Sequence, residues 1–210
     1  MNHKKTLLIG LIALGLFSGC ADKENKVIQN QTALFWHNAI YKNINKANLD
    51  AADDRFVSLE VEHPNSPFIP TDLLLLSEVH EQNGDYQLAL FYMNEYEKRY
   101  ANRYEKEWCE YKKAKIQFFS LKNAYTNQKK LQNTLAFVNN VLNKYPNSIY
   151  NYELNTIKKK LELTTIVFDN KIANLYEKLD KPKAVKLYKK DIKTNIIPPQ
   201  IPWYKRLFYW

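Results

Sequence analysis

Apolar residues recur at helical spacing along most of the chain, and the clearest stretch is Thr71–Asn102. Leu73, Leu76 and His80 fall on one face of a first helix, and Tyr86, Ala89, Leu90, Met93 and Tyr96 on one face of a second. Thr71 and Asp72 suit the start of the first helix, since each can accept from the open amides of an opening turn. Gly84 suits its left-handed end, and Asp85 suits the cap of the next helix. Ala89 is small where the two helices must approach closely. The spacing predicts a helix–turn–helix unit about 34 residues long.

The same unit occurs earlier in matching register. Trp36 stands where Leu73 stands and Ala39 where Leu76 stands, while Ala52, Phe56 and Leu59 repeat Ala89, Met93 and Tyr96. Asn48-Leu49-Asp50 takes the place of the Asp85 turn. Pro64-Asn65-Ser66 closes this unit, and Pro146-Asn147-Ser148 closes a later one. Tryptophan, small residue, aromatic and proline in that order resemble the tetratricopeptide (TPR) repeat. One such unit cannot bury both of its faces, so the units must stack. Between the first two, Pro67-Phe68-Ile69-Pro70 reads as an extended apolar connector. Helices are then expected over Arg103–Tyr125, Gln128–Tyr145, Tyr150–Leu179 and Lys183–Lys193, with Asp180-Lys181-Pro182 breaking the last two apart, Asp180 as a cap and Pro182 in the first turn. No strand-like alternation of useful length occurs. The expected fold is all-α, an α-solenoid of about four TPR-like helix pairs spanning residues 32–195.

The start of the chain differs in kind. His3, Lys4 and Lys5 precede an uncharged apolar run, Thr6–Phe17, too short for a comfortable membrane span. It ends in Phe17-Ser18-Gly19-Cys20, which resembles a bacterial lipobox, with Phe17 where leucine is usual. Residues 1–19 are therefore expected as a lipoprotein signal peptide, Cys20 as the lipidated residue, and 20–31 as a polar tether. Ala21 after the cysteine suggests the outer membrane by analogy with Gram-negative lipoproteins, with the protein facing the periplasm. The other cysteine, Cys109, then has no disulfide partner and is expected as a small buried hydrophobe.

Charge adds a polarity. The chain carries a formal +9, but Cys20–Glu110 holds 9 basic and 16 acidic residues and Tyr111–Trp210 holds 20 basic and 6 acidic. Halves of opposite sign suggest different partners at the two ends. Sites for covalent chemistry are not evident. His80-Glu81 begins like a zinc-protease motif, but Gly84 occupies the place of its second histidine. His37 and His63 have no ligand at metal spacing, and neither a phosphate loop nor a nucleophile elbow is present. No enzyme activity, metal or cofactor is expected; the pattern is that of a binding module.

From Trp36 to about Asn195 the chain resembles the BamD family, also described as ComL, the TPR lipoproteins of the outer-membrane β-barrel assembly machine. Tyr145-Pro146-Asn147-Ser148-Ile149-Tyr150 and the helix through Ile172-Ala173-Asn174-Leu175-Tyr176 carry the resemblance most specifically. Members better known carry five repeats, and this chain has room for about four, so the last is shortened or replaced. The resemblance implies a role in folding outer-membrane proteins. Its partners would be a BamA-like barrel protein and other assembly subunits, unfolded barrel substrates, and a membrane reached through the lipid anchor; nucleic acid is not among them. A pilotin-like or other TPR scaffold lipoprotein of the cell envelope is the alternative.

TPR grooves are lined by the first helix of each pair, which places Tyr41, Leu74, Glu78 and Glu81 on the expected peptide-binding side, with Phe68 and Ile69 in the connector beside it. Lys183, Lys186 and Lys190 on the last helix are expected to face an acidic partner surface or anionic lipid. The tail, Ile196–Trp210, places Trp203, Phe208 and Trp210 after three prolines. It is expected as an extended arm that either caps the last helix or docks on the barrel protein or the membrane interface.

Overall fold

The apolar stripes become helices that pack pair on pair. The computed structural model describes residues 30–121 and 127–190. Among them are eight helices and no strand: α1 (Ala33–Ile44), α2 (Leu49–Glu62), α3 (Ile69–Asn83), α4 (Tyr86–Arg99), α5 (Arg103–Phe119), α6 (Gln128–Lys144), α7 (Asn151–Lys178) and α8 (Pro182–Lys190). All lie in one compact unit that begins at Ala33. Each helix packs chiefly on its neighbour in sequence, and α5 also touches α7. The fold is all-α and TPR-like.

Helix ends follow from residue chemistry. Gly84, at φ 89°, ends α3 in the left-handed region, its amide and that of Asp85 returning to the Glu81 and His80 carbonyls. Asn48, Asn102 and Asn127 open α2, α5 and α6 by accepting from amides of the first turn. At α5 the exchange is reciprocal: Asn102 accepts from Glu105 N at 3.0 Å, and the Glu105 carboxylate accepts from Asn102 N at 2.8 Å. Asp85 holds the capping position of α4 without making a capping bond; its carboxylate accepts from Asn83 instead. Asp180 is not the cap of α8. It sits at φ 52° just past the end of α7, and the Asp180 and Lys181 amides bond back to Glu177 and Tyr176, so it stops the preceding helix.

The expected extended connector is also corrected. Phe68 is already in the helical region, and α3 starts at Ile69, with Pro70 in its first turn, where proline's missing amide costs nothing. The turn before it recurs. Ser66 Oγ accepts from Phe68 N at 3.2 Å, and Ser148 Oγ accepts from Tyr150 N at 3.1 Å. In both places the serine carbonyl then accepts the first helical amide, from Ile69 and from Asn151. The two Pro-Asn-Ser elements are one device used twice.

Two apolar clusters fill the interior. Trp36, Ile40, Phe56, Leu59, Ile69, Leu73, Leu76, Met93, Cys109 and Ile116 form the first, and Ala114, Leu131, Val138, Val141, Leu154 and Leu161 the second. They meet on α5, which gives Cys109 and Ile116 to one and Ala114 to the other. Cys109 is a free, fully buried thiol, and burial pushes its pKa up to about 12, far from the thiolate that reactivity requires.

Candidate functional site

The first helices of the pairs lie side by side, and polar side chains join them. On α1, His37 Nδ1 is 2.7 Å from Asp72 Oδ1 in the first turn of α3. The His37 ring stacks on Phe68 at 4.4 Å and meets Tyr41 edge-on at 4.9 Å. Three rings thus form a row across the α1–α3 seam, with Tyr41 exposed and Phe68 half-buried. Asp72 beneath them is fully buried, and burial pushes its carboxyl up to about 6 against the opposing pull of His37.

Farther along, α3 meets α5 through a charge cluster. Lys112 Nζ donates to Glu78 at 2.7 Å and to Glu81 at 3.0 Å, and Lys115 lies 3.2 Å from the other Glu81 oxygen. The Lys112 hydrogen bond is the main reason that the Glu78 carboxyl is held below the ordinary range. Burial lowers the Lys112 pKa, but Glu78 and Glu81 outweigh it and the net shift is upward. A parallel cluster joins α4, α5 and α6, where Lys113 pairs with Glu97 and Glu110, and Glu110 also with Lys144. The acidic first half and the basic second half of the chain are therefore partly spent on each other at this seam.

The six residues expected on the peptide side have different fates. Tyr41 and Phe68 lie together in the ring row. Leu74 is half-buried against the first core cluster, and Glu78 remains partly open while holding Lys112. Two expectations are corrected. Ile69 is fully buried in the core, because it belongs to the first turn of α3 and not to a connector. Glu81 is buried between Lys112 and Lys115, because α5 packs over it.

Sequence reading missed a polar network inside the first core. Asp53 Oδ1 on α2 accepts from Tyr92 OH on α4 at 2.7 Å and lies 3.0 Å from His80 Nε2 on α3. His80 and Tyr92 also stack at 5.6 Å. Burial lowers the His80 pKa, but Asp53 and then Asp85 outweigh it, so the net shift is upward. Burial, then Asp53, pushes the Tyr92 hydroxyl strongly upward. His80 is the core residue that its position on an apolar stripe suggested. The network ties three helices together, with His80 and Tyr92 buried and Asp53 half-buried, which suits a structural role. Its partners stand 27 and 39 residues apart, and only the repeat register offered a hint of them.

At the other end Lys183 and Lys186 are exposed on α8, and Lys186 borders a small cleft with Glu177, Asp180 and Pro182. Lys190 closes α8. Leu187 is also exposed, and Tyr188 stacks on Tyr176 at 5.8 Å. Cys20 and the tail residues Trp203, Phe208 and Trp210 lie outside the described residues. Among the described residues no group of His, Cys, Asp and Glu converges as a metal site, and no helix is long and apolar enough to cross a membrane.

The comparisons with known proteins bear on this architecture as a whole. The sequence model of YfiO, described as an outer membrane lipoprotein, matches residues 29–190, which covers every described helix. The chain is 33% identical to the outer membrane protein assembly factor BamD of Helicobacter pylori, over 100% of this chain and 99% of that protein. A TPR-like stack of helix pairs, matched from one end to the other, belongs to the BamD (YfiO) family of outer membrane lipoproteins.

Proposed function

We propose that this protein is an assembly factor for outer-membrane β-barrel proteins. In this reading Cys20 carries the lipid that holds it to the outer membrane, residues 20–31 form the tether, and the helical unit works in the periplasm by binding alone, without covalent chemistry. The observation that carries the reading is the full-length match to a protein named as such an assembly factor. The ring row Tyr41–His37–Phe68 supports a substrate surface at the first two helix pairs, since flat aromatic faces suit the apolar, aromatic-rich strands of an unfolded barrel. The exposed lysines of α8, with the tail beyond them, supply the surface for the periplasmic domains of a BamA-like barrel protein.

Photo-crosslinking to a peptide copied from a barrel strand tests the substrate half of this reading. Tyr41→Ala should lower the crosslinked yield several-fold at unchanged helicity, because Tyr41 is exposed and closes no part of the core. An unchanged yield in Tyr41→Ala and Phe68→Ala together would remove the substrate from this face.

A further inference from the structure

The helix pairs are hairpins laid side by side, so turns within pairs and links between pairs gather at opposite edges. Trp36 near the start of α1 donates to Glu62 at the end of α2 at 2.8 Å. Glu78 and Glu81 of α3 meet Lys112 and Lys115 of α5 in parallel order. Tyr111 and Phe118 of α5 meet, again in parallel order, Tyr150 and Lys160 at α7. The starts of α1, α3, α5 and α7, and the links 63–68, 100–102 and 145–150, therefore point one way, with the start of α7 set beside the middle of α5 by the Tyr111–Tyr150 stack.

The four most exposed large apolar side chains among the described residues all stand on that edge. They are Tyr104 at 88%, Tyr152 at 82%, Ile149 at 81% and Val61 at 75%. Leu34, in the first turn of α1, is exposed beside them. Concentration of such side chains on one edge, with none helping to close a core, marks an interaction surface. Their charged neighbours are mostly cations. Lys98, Arg103 and Lys106 are exposed, while Glu60 is held by Arg99, Glu62 by the Trp36 indole and Glu105 by its capping bond; of the remaining acids Glu107 is half-buried, and Glu153, beside Tyr152 in the first turn of α7, is exposed.

We propose that this edge rests on a phospholipid surface. Two observations select lipid over a protein partner. Tyrosine and aliphatic tips set among lysine and arginine match the interfacial layer of a bilayer. The chain enters the helical unit at Ala33, the first residue of α1, so the segment 20–31 attaches at this same edge, with a reach of about 40 Å when extended. Docking by the edge fixes the orientation of the solenoid and leaves the opposite edge, with the turns 45–48 and 84–85, facing away. The inference does not depend on which substrates the protein assembles.

The test uses the whole protein, extracted from membranes and returned to vesicles of phosphatidylcholine and phosphatidylglycerol. A thiol-reactive fluorophore is placed at Tyr104→Cys, at Tyr152→Cys, or at Lys46→Cys in the α1–α2 turn; Cys109 is buried and does not compete. Lipids carrying a quencher near the headgroup should quench the first two positions several-fold more than Lys46→Cys. In parallel, Y104S/I149S/Y152S in a Cys20→Ser background should reduce vesicle binding several-fold at unchanged helicity. The proposal is overturned if all three positions are quenched equally, if none is, or if the protein does not associate with the vesicles. It is also overturned if Tyr104→Cys and Tyr152→Cys are shielded from a water-soluble quencher without being quenched by lipid, which would assign the edge to the chain's own tail, Ile196–Trp210, or to a second copy. A negative result here leaves the peptide-crosslinking result standing, so the two readings fail separately.

Discussion

Asp53 accepts from two helices at once, and its loss leaves two buried donors without a partner. Asp53→Ala should therefore cost about 1–3 kcal/mol in urea unfolding, the usual cost of stranding buried polar groups. The effect should depend on pH in a definite direction. The net upward shift of His80 means that the folded state binds its proton more tightly than the unfolded chain. That contribution is fully present below the ordinary histidine pKa and is lost as pH rises through the folded value, so the variant should lose more stability at pH 6 than at pH 9. Lys112→Met should cost about 3 kcal/mol, the low end for breaking a buried ion pair, because Lys115 still holds Glu81. Its deficit against the wild type should shrink under acid. The Glu78 carboxyl is held low, so its contribution is present above the ordinary glutamate range and disappears as pH falls through the lowered value. Neither cluster was legible in the sequence. His37, Asp53, Asp72 and Lys112 look like surface residues until the repeats are stacked, and no local rule names partners 27 to 39 residues away.

Helix existence was legible and helix ends less so. The 3.6-residue stripes located every described helix, because burial against a neighbour demands that period. Ile69 marks where this reasoning failed. Flanked by prolines, it reads as extended chain, yet Pro70 in the first helical turn is no breaker, and the side chain enters the core. Ile69→Ala should cost about 2–4 kcal/mol as a core truncation, whereas Phe68→Ala, on the ring row, should cost less and show its effect in peptide crosslinking. The opposite ranking in thermal denaturation would restore the connector reading. Asp180 failed for a related reason: aspartate can open a helix or, in the left-handed region, follow the end of one, and only the backbone decides. Gly84 was legible because its role at φ 89° suits one residue type, and Gly84→Ala should destabilise the α3–α4 hairpin by about 1 kcal/mol.

At the scale of the molecule, the charge polarity read from the sequence is real but partly internal. Lysines 112, 113 and 115 neutralise Glu78, Glu81 and Glu97 where the halves meet, and the uncompensated positive charge remains beyond α6. If the exposed lysines of α8 steer a partner, Lys183→Glu with Lys186→Glu should slow association, and the wild-type rate should itself fall with added salt, since screening acts within about 10 Å at 0.1 M. A rate indifferent to both would move docking elsewhere. If this chain serves the assembly of many barrel proteins, and is not an escort for one, then depleting it in its own cells should lower many β-barrel proteins together in the outer-membrane proteome while other envelope lipoproteins persist. Unchanged barrel levels, or loss of a single secretin-type complex alone, would overturn that function.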